Sequence, residues 1–118
     1  MVWSIKYRKK IITPEIEAEI KQWSKEIGDE KGFTVCLIES RNQDHIHCFI
    51  SAPPKTSVSY IAKMLKGILG RKMFYHFPEI KKQLYNGELW NHSYYVEAIG
   101  SVSKDNIRRY IEKQTKGY

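Results

Sequence analysis

Long apolar runs are missing from this chain. Nowhere do eighteen apolar residues follow one another, and the opening MVWSIKYRKK has no extended apolar stretch of the secretory type. No membrane partner is expected, and the chain reads as a soluble cytoplasmic protein. Cysteine is scarce too: Cys36 and Cys48 stand in apolar, strand-forming stretches without CxxC spacing. They read as reduced core thiols, with one cross-strand disulfide as the alternative. Repeats, low-complexity tracts and linkers are absent, and 118 residues, 42% of them hydrophobic, suit a single domain spanning residues 1–118. Acidic residues are in deficit, 13 against 20 basic, which gives a formal charge of +7 and makes an acidic polymer a natural partner.

What is present falls into alternating strand and helix patterns. Val2 to Tyr7 alternates as a strand. Thr13 as N-cap, Pro14 behind it, Glu15 and Glu17 in the first turn, and Ile16, Ile20, Trp23 and Ile27 on one face predict a helix. FTVCLIES and DHIHCFIS read as a hairpin around RNQ, and APPK ends it. Val58, Ile61, Leu65, Ile68 and Leu69 mark a second helix, weakened by Gly67 and Gly70. Ser93 to Gly100 reads as a fourth strand. A last helix follows from Ser103, with Ile107 and Ile111 one turn apart. The order predicts an α+β fold, a ferredoxin-like βαββαβ sandwich with an added C-terminal helix.

Two histidines interrupt the apolar run of the third strand. His45 and His47 leave one face while Ile46, Cys48 and Ile50 leave the other, so helices on the apolar face would leave the histidine face open. Imidazoles on alternate strand positions can share a divalent cation. Taken alone, such a pair is more often ordinary surface or core histidine. Near the C-terminus Asn106, Tyr110 and Gln114 are four apart and share a helix face. A tyrosine there can serve as a covalent nucleophile in phosphoryl transfer, and Gln114 can supply an oxygen ligand. The plain alternative is packing of Tyr110 beside Ile107 and Ile111. Asp44 has two open readings: it orients a ligand, or it closes the hairpin turn.

DHIHCFISAPP, LKGILGRKMFYHFPEIKK, LWNHSYYVEAIG and NIRRYIEKQ occur in the order and spacing of one known group. The chain resembles the single-tyrosine HUH transposases of the insertion-sequence 200/605 family, HUH being two histidines around a hydrophobic residue. The resemblance implies that Tyr110, on the C-terminal helix, attacks a phosphodiester of single-stranded DNA. A 5′-phosphotyrosyl enzyme and a free 3′-hydroxyl would result, and strand transfer would follow. It implies that His45, His47 and Gln114 bind Mg2+ or Mn2+. Further implications are hairpin-bearing DNA ends as substrate and a homodimer whose active sites are completed in trans.

Around this centre, Arg108 and Arg109 flank the tyrosine, and Arg8, Lys9, Lys10, Arg71 and Lys72 extend the basic footprint as candidate DNA contacts, each weighed against a merely solvated charge. Trp90, Tyr94 and Tyr95 offer rings on which unpaired bases can stack, or core contacts. His76 and His92 are read as incidental. A non-catalytic RNA- or single-stranded-DNA-binding module on the same fold is the competing class, although the aromatic-rich strand of such modules is lacking. A domesticated relative that processes chromosomal repeats would share the chemistry. Histidine-based phosphoesterases fit less well: Phe49 stands where a histidine triad needs its third histidine, and a second His-x-Ser/Thr motif is absent.

Overall fold

A computed structural model describes residues 1–84 and 87–97 of the chain. Its elements run β1 (Val2–Ser4), α1 (Pro14–Lys31), β2 (Thr34–Arg41), β3 (His45–Ser51) and α2 (Val58–His76), with short 3-10 turns at Lys6–Arg8 and Pro78–Gln83. The three strands form an antiparallel sheet in the order β1-β3-β2, so β3 is central. Residues 89–95 continue the sheet beyond β1. Ile5 bridges Trp90, Val2 bridges Tyr95, and Val2 and Tyr95 exchange two 2.8 Å backbone hydrogen bonds. This is the ferredoxin-like arrangement, a split βαβ unit with the last segment at the outer edge. The fourth strand expected over Ser93–Gly100 is reduced to these isolated bridges, and residues 98–100 lie outside the described residues.

Local chemistry accounts for the helix ends. Thr13 Oγ1 accepts the Ile16 amide at 3.2 Å, Pro14 opens the first turn, and Gly32 closes α1 in the left-handed conformation at φ 89°. The helix runs three residues past Gly28, where the sequence pattern ended. Ser57 Oγ caps α2 through the Tyr60 amide at 3.1 Å. Between β2 and β3 the hairpin turns on Asn42 and Gln43, both at positive φ, as a type I′ turn requires. Asp44 N donates to Arg41 O at 3.2 Å to close it.

Both helices cover one face of the sheet. Ile16, Ile20, Trp23 and Ile27 of α1 and Ile61, Leu65, Leu69 and Met73 of α2 form one core with Trp3, Val35, Ile38, Ile46 and Cys48. Val58 is not in this stripe: it is exposed at the first turn of α2. Trp90 lies edge-on to Trp3, with centroids 5.8 Å apart, and its Nε1 donates to Lys66 O at 2.9 Å. Gly70 makes this contact possible, because a Cβ there would stand 3.3 Å from Trp90 Nε1. Trp90 is therefore a structural residue and not a stacking platform. Both cysteines are free thiols: Cys48 is buried, whereas Cys36 is half-exposed where the β2–β3 register slips between Val35 and Leu37, so only one of the two is a core thiol. The slip is a bulge on an edge strand, a device that discourages further strand pairing.

The first strand is shorter than its alternation predicts. After Ile5 the chain bends into the 3-10 turn, with Tyr7 and Arg8 at φ 62° and 52°. Ile5 N donates to Asp44 O at 2.7 Å, and Lys6 N donates to Leu89 O at 2.8 Å, which fixes the bend between the hairpin turn and the outer segment. Among the described residues, no helix is long and apolar enough to cross a membrane.

Candidate active site

Pairing register decides which side chains share the histidine face. Opposite residues in antiparallel strands project to the same side. One row is therefore Ser4, His45 and Arg41, and the next is Tyr95, Val2, His47 and Glu39. Phe49 and Leu37 form a third. The histidine rings lie side by side with centroids 4.9 Å apart.

This face is not open, contrary to the expectation from alternation. His45 and His47 are 2% and 1% exposed, and Val2 and Phe49 are buried with them. Val2 of β1 and Phe49 of β3 itself stand on the same face as the imidazoles. The outer row is closed by an ion pair in which Arg41 Nη2 donates to Glu39 Oε1 at 2.8 Å.

Asp44 makes two contacts at this point. Its backbone closes the turn, and its buried carboxylate meets His45 Nδ1. A carboxylate can only accept, so in the neutral ring Nδ1 carries the hydrogen and Nε2 keeps the lone pair. This is the support that metal-bound histidines characteristically have. The donor set suits a divalent cation: two adjacent imidazoles on one face, one of them oriented by a carboxylate. Among the described residues no three His, Cys, Asp or Glu side chains converge, so the pair would need an oxygen ligand of another kind or from elsewhere in the chain. Tyr110 and Gln114, and the flanking Arg108 and Arg109, lie outside the described residues.

Of the other basic candidates, only Arg8 is brought to the histidines. It lines a cleft of about 220 Å³ with Val2, Trp3, Ser4, His45, Ser93, Tyr94 and Tyr95. Lys9 Nζ instead donates to Gln83 O, and Lys10 is exposed beyond the bend. Arg71 and Lys72 belong to α2, on the helical layer across the sheet, where Lys72 Nζ sits 5.9 Å from the Trp23 ring. His76 packs against Trp23, and His92 is exposed with Nε2 3.7 Å from Glu88.

One residue was not visible in the sequence pattern. Lys66 reaches from α2 to the outer segment, where Nζ donates to Asn91 O at 2.6 Å and His92 O at 3.3 Å. Burial holds its pKa below the ordinary lysine value. Nothing in the periodicity of α2 distinguishes this lysine from the exposed ones, because its partners are backbone carbonyls remote in sequence.

Comparison with known proteins yields a consistent set. The family model described as "Transposase IS200 like" matches residues 1–114. The ISDra2 transposase TnpA of Deinococcus radiodurans is 32% identical over 114 residues, covering 97% of this chain and 81% of the relative. The transposase for insertion sequence element IS200 of Salmonella typhimurium is 28% identical over 120 residues, covering 99% of this chain and 78% of the relative. A crystal structure of a Deinococcus radiodurans R1 protein assigned as a transposase superposes with a TM-score of 0.77 at 31% identity. It covers 96% of this chain and 86% of that one.

Proposed function

This chain belongs to the IS200-like transposase family, and from that premise we propose that it moves DNA as single strands, through attack of Tyr110 on a phosphodiester at hairpin-marked element ends. The observation that carries this reading is the buried His45–His47 pair with Asp44 on His45 Nδ1. Structural histidines of a core rarely need an oriented, metal-facing tautomer.

The chain's own groups have the following roles. The Tyr110 hydroxyl gives up its proton, and its oxygen forms the new bond to phosphorus. The P–O bond to the 3′ oxygen breaks, which leaves a 5′-phosphotyrosyl linkage and a free 3′-hydroxyl. The phosphoester is conserved as an aryl ester, so no water or ATP is consumed, and a 3′-hydroxyl can later reverse the exchange onto another strand. His45, His47 and Gln114 would hold magnesium or manganese, which supplies charge stabilisation to the attacked phosphate. Asp44 orients His45. Arg108 and Arg109 would contact phosphates beside the nucleophile. A homodimer in which the tyrosine of one subunit serves the histidines of its partner completes the reading.

The test is a denaturing gel of protein incubated with labelled hairpin-bearing single-stranded DNA and Mg2+ or Mn2+. A shifted covalent band that Tyr110→Phe abolishes, with DNA binding retained, is expected. Binding without any adduct across a broad set of hairpins would instead favour a non-catalytic binding module.

A further inference from the structure

We propose that the cleft between Arg8, His45 and Tyr95 seats one nucleotide of the DNA strand beside the bond that is cut, with its base stacked on Tyr95 and a phosphate held by Arg8. This rests on the DNA reading above and gives its substrate a place on the described surface.

The cleft reaches the histidine face at its edge, where His45 is one of the lining residues. Its volume of about 220 Å³ falls below the roughly 300–1,000 Å³ of enclosed drug-sized sites, as expected of an open cleft that grips part of one nucleotide and leaves the rest in solvent. The pairing of Tyr95 with Val2, and of Val2 with His47, sets Tyr95 on the histidine face two strands from the metal-type pair.

Two features separate this tyrosine from an ordinary surface aromatic. Its backbone is fixed by both hydrogen bonds to Val2, by Asn91 N donating to Ser4 O at 2.8 Å, and by Lys66 on the carbonyls just before it. Yet its side chain is 51% exposed, whereas Trp90 of the same segment is packed against Trp3. A rigid backbone presenting an exposed ring is a ready stacking platform, since every base has a π-face. Tyr94 has another role: Lys66 Nζ lies 5.8 Å from its ring centroid.

Arg8 supplies the charge. It forms no ion pair among the described residues. It follows Tyr7 in the left-handed region, which non-glycine residues rarely adopt. The bend is held by Arg8 N donating to Ile5 O and Ile12 N donating to Gln43 O, both at 2.9 Å. Without it, the alternation of Val2–Ser4 would carry the chain straight past the cleft. Stacking is tolerant of base identity, so the cleft contributes affinity and placement of the strand.

The experiment uses the full chain and hairpin-bearing single-stranded oligonucleotides in which successive thymines are replaced by 5-iodouracil. The complexes are irradiated and the cross-linked peptides mapped. A cross-link to Tyr95 from one position of the strand is expected. Tyr95→Ala and Arg8→Gln should each raise the KM for adduct formation about tenfold, with kcat kept, while Tyr95→Phe and the helical-layer control Lys63→Gln, at an exposed position of α2, behave as wild type. Cross-links confined to other surfaces, or Tyr95→Ala and Arg8→Gln proteins indistinguishable from wild type, would overturn the proposal while the adduct itself persists. A persistent Tyr95 cross-link with no adduct in any protein would uphold the cleft and contradict the transposase chemistry.

Discussion

The carboxylate of Asp44 meets Nδ1 of His45, the next residue, across the end of the β2–β3 hairpin. The same aspartate accepts the Ile5 amide on its carbonyl and donates its own amide to Arg41 O. One residue therefore ties the turn, the first strand and the imidazole together. The orientation of the His45 ring is set by the fold.

Asp44→Asn is expected to keep the turn, because both backbone hydrogen bonds remain, but to lose the negative charge and, by offering an NH2 donor beside its oxygen, the selection of the His45 tautomer. Divalent-cation affinity should fall about 10- to 100-fold. Titration calorimetry with Mn2+, alongside circular dichroism to verify the fold, measures this. Equal affinity in the two proteins would show that the carboxylate does not tune the His45 imidazole for a cation.

Gly28→Ala tests the seam between α1 and β2. A Cβ at this position would stand 2.5 Å from the backbone oxygen of Phe33, which cannot swing away as a flexible side chain would. Overpacking should cost about 1–3 kcal/mol, outweighing or cancelling the roughly 1 kcal/mol gain in helix propensity. Urea unfolding that left the variant more stable than wild type would contradict the close approach.

The two cysteines should differ in reactivity. Burial pushes the Cys48 thiol from 9.0 up to about 12, while Cys36 is half-exposed at the bulge. Alkylation followed by mass spectrometry should label Cys36 in native protein and Cys48 only after unfolding. The raised value favours the neutral thiol in the fold, so its contribution to stability is present below about pH 9 and is lost as pH rises toward about 12. Cys48→Ala should flatten that alkaline decline, and an unchanged decline would remove Cys48 as its source.

Lys66→Met tests the strap on the outer segment. Removing the ammonium leaves the Asn91 and His92 carbonyls without this donor, and the Val2–Tyr95 bridges have no full ladder behind them. Amide exchange at Tyr95 should quicken, while that of Cys48 in the central strand stays slow. Unchanged exchange at Tyr95 would show that the bridges alone hold the segment.

Much of this architecture was legible from local chemistry. Thr13 and Pro14 announce α1, the spacing of Ile16, Ile20, Trp23 and Ile27 announces its buried face, and alternation around Ile46 and Cys48 separates the core from the histidines. What depends on long-range pairing was not. Burial of His45 and His47 is a property of the folded chain that nothing in the HIH triplet reveals. The bend at Tyr7 and Arg8 replaces an alternating strand because Asp44 and Leu89 claim the amides of Ile5 and Lys6. Trp90 reads equally well as a stacking ring until Gly70 and the Lys66 carbonyl are seen beneath it.

The most direct test of the central claim is to digest the covalent protein–DNA adduct and locate the modified residue by tandem mass spectrometry, in Mn2+ and again with His47→Ala. The account predicts a 5′-phosphonucleotide on Tyr110 alone, formed only with the cation and lost in His47→Ala. A nucleotide on any other residue, or an adduct that His47→Ala and chelator leave untouched, would contradict it.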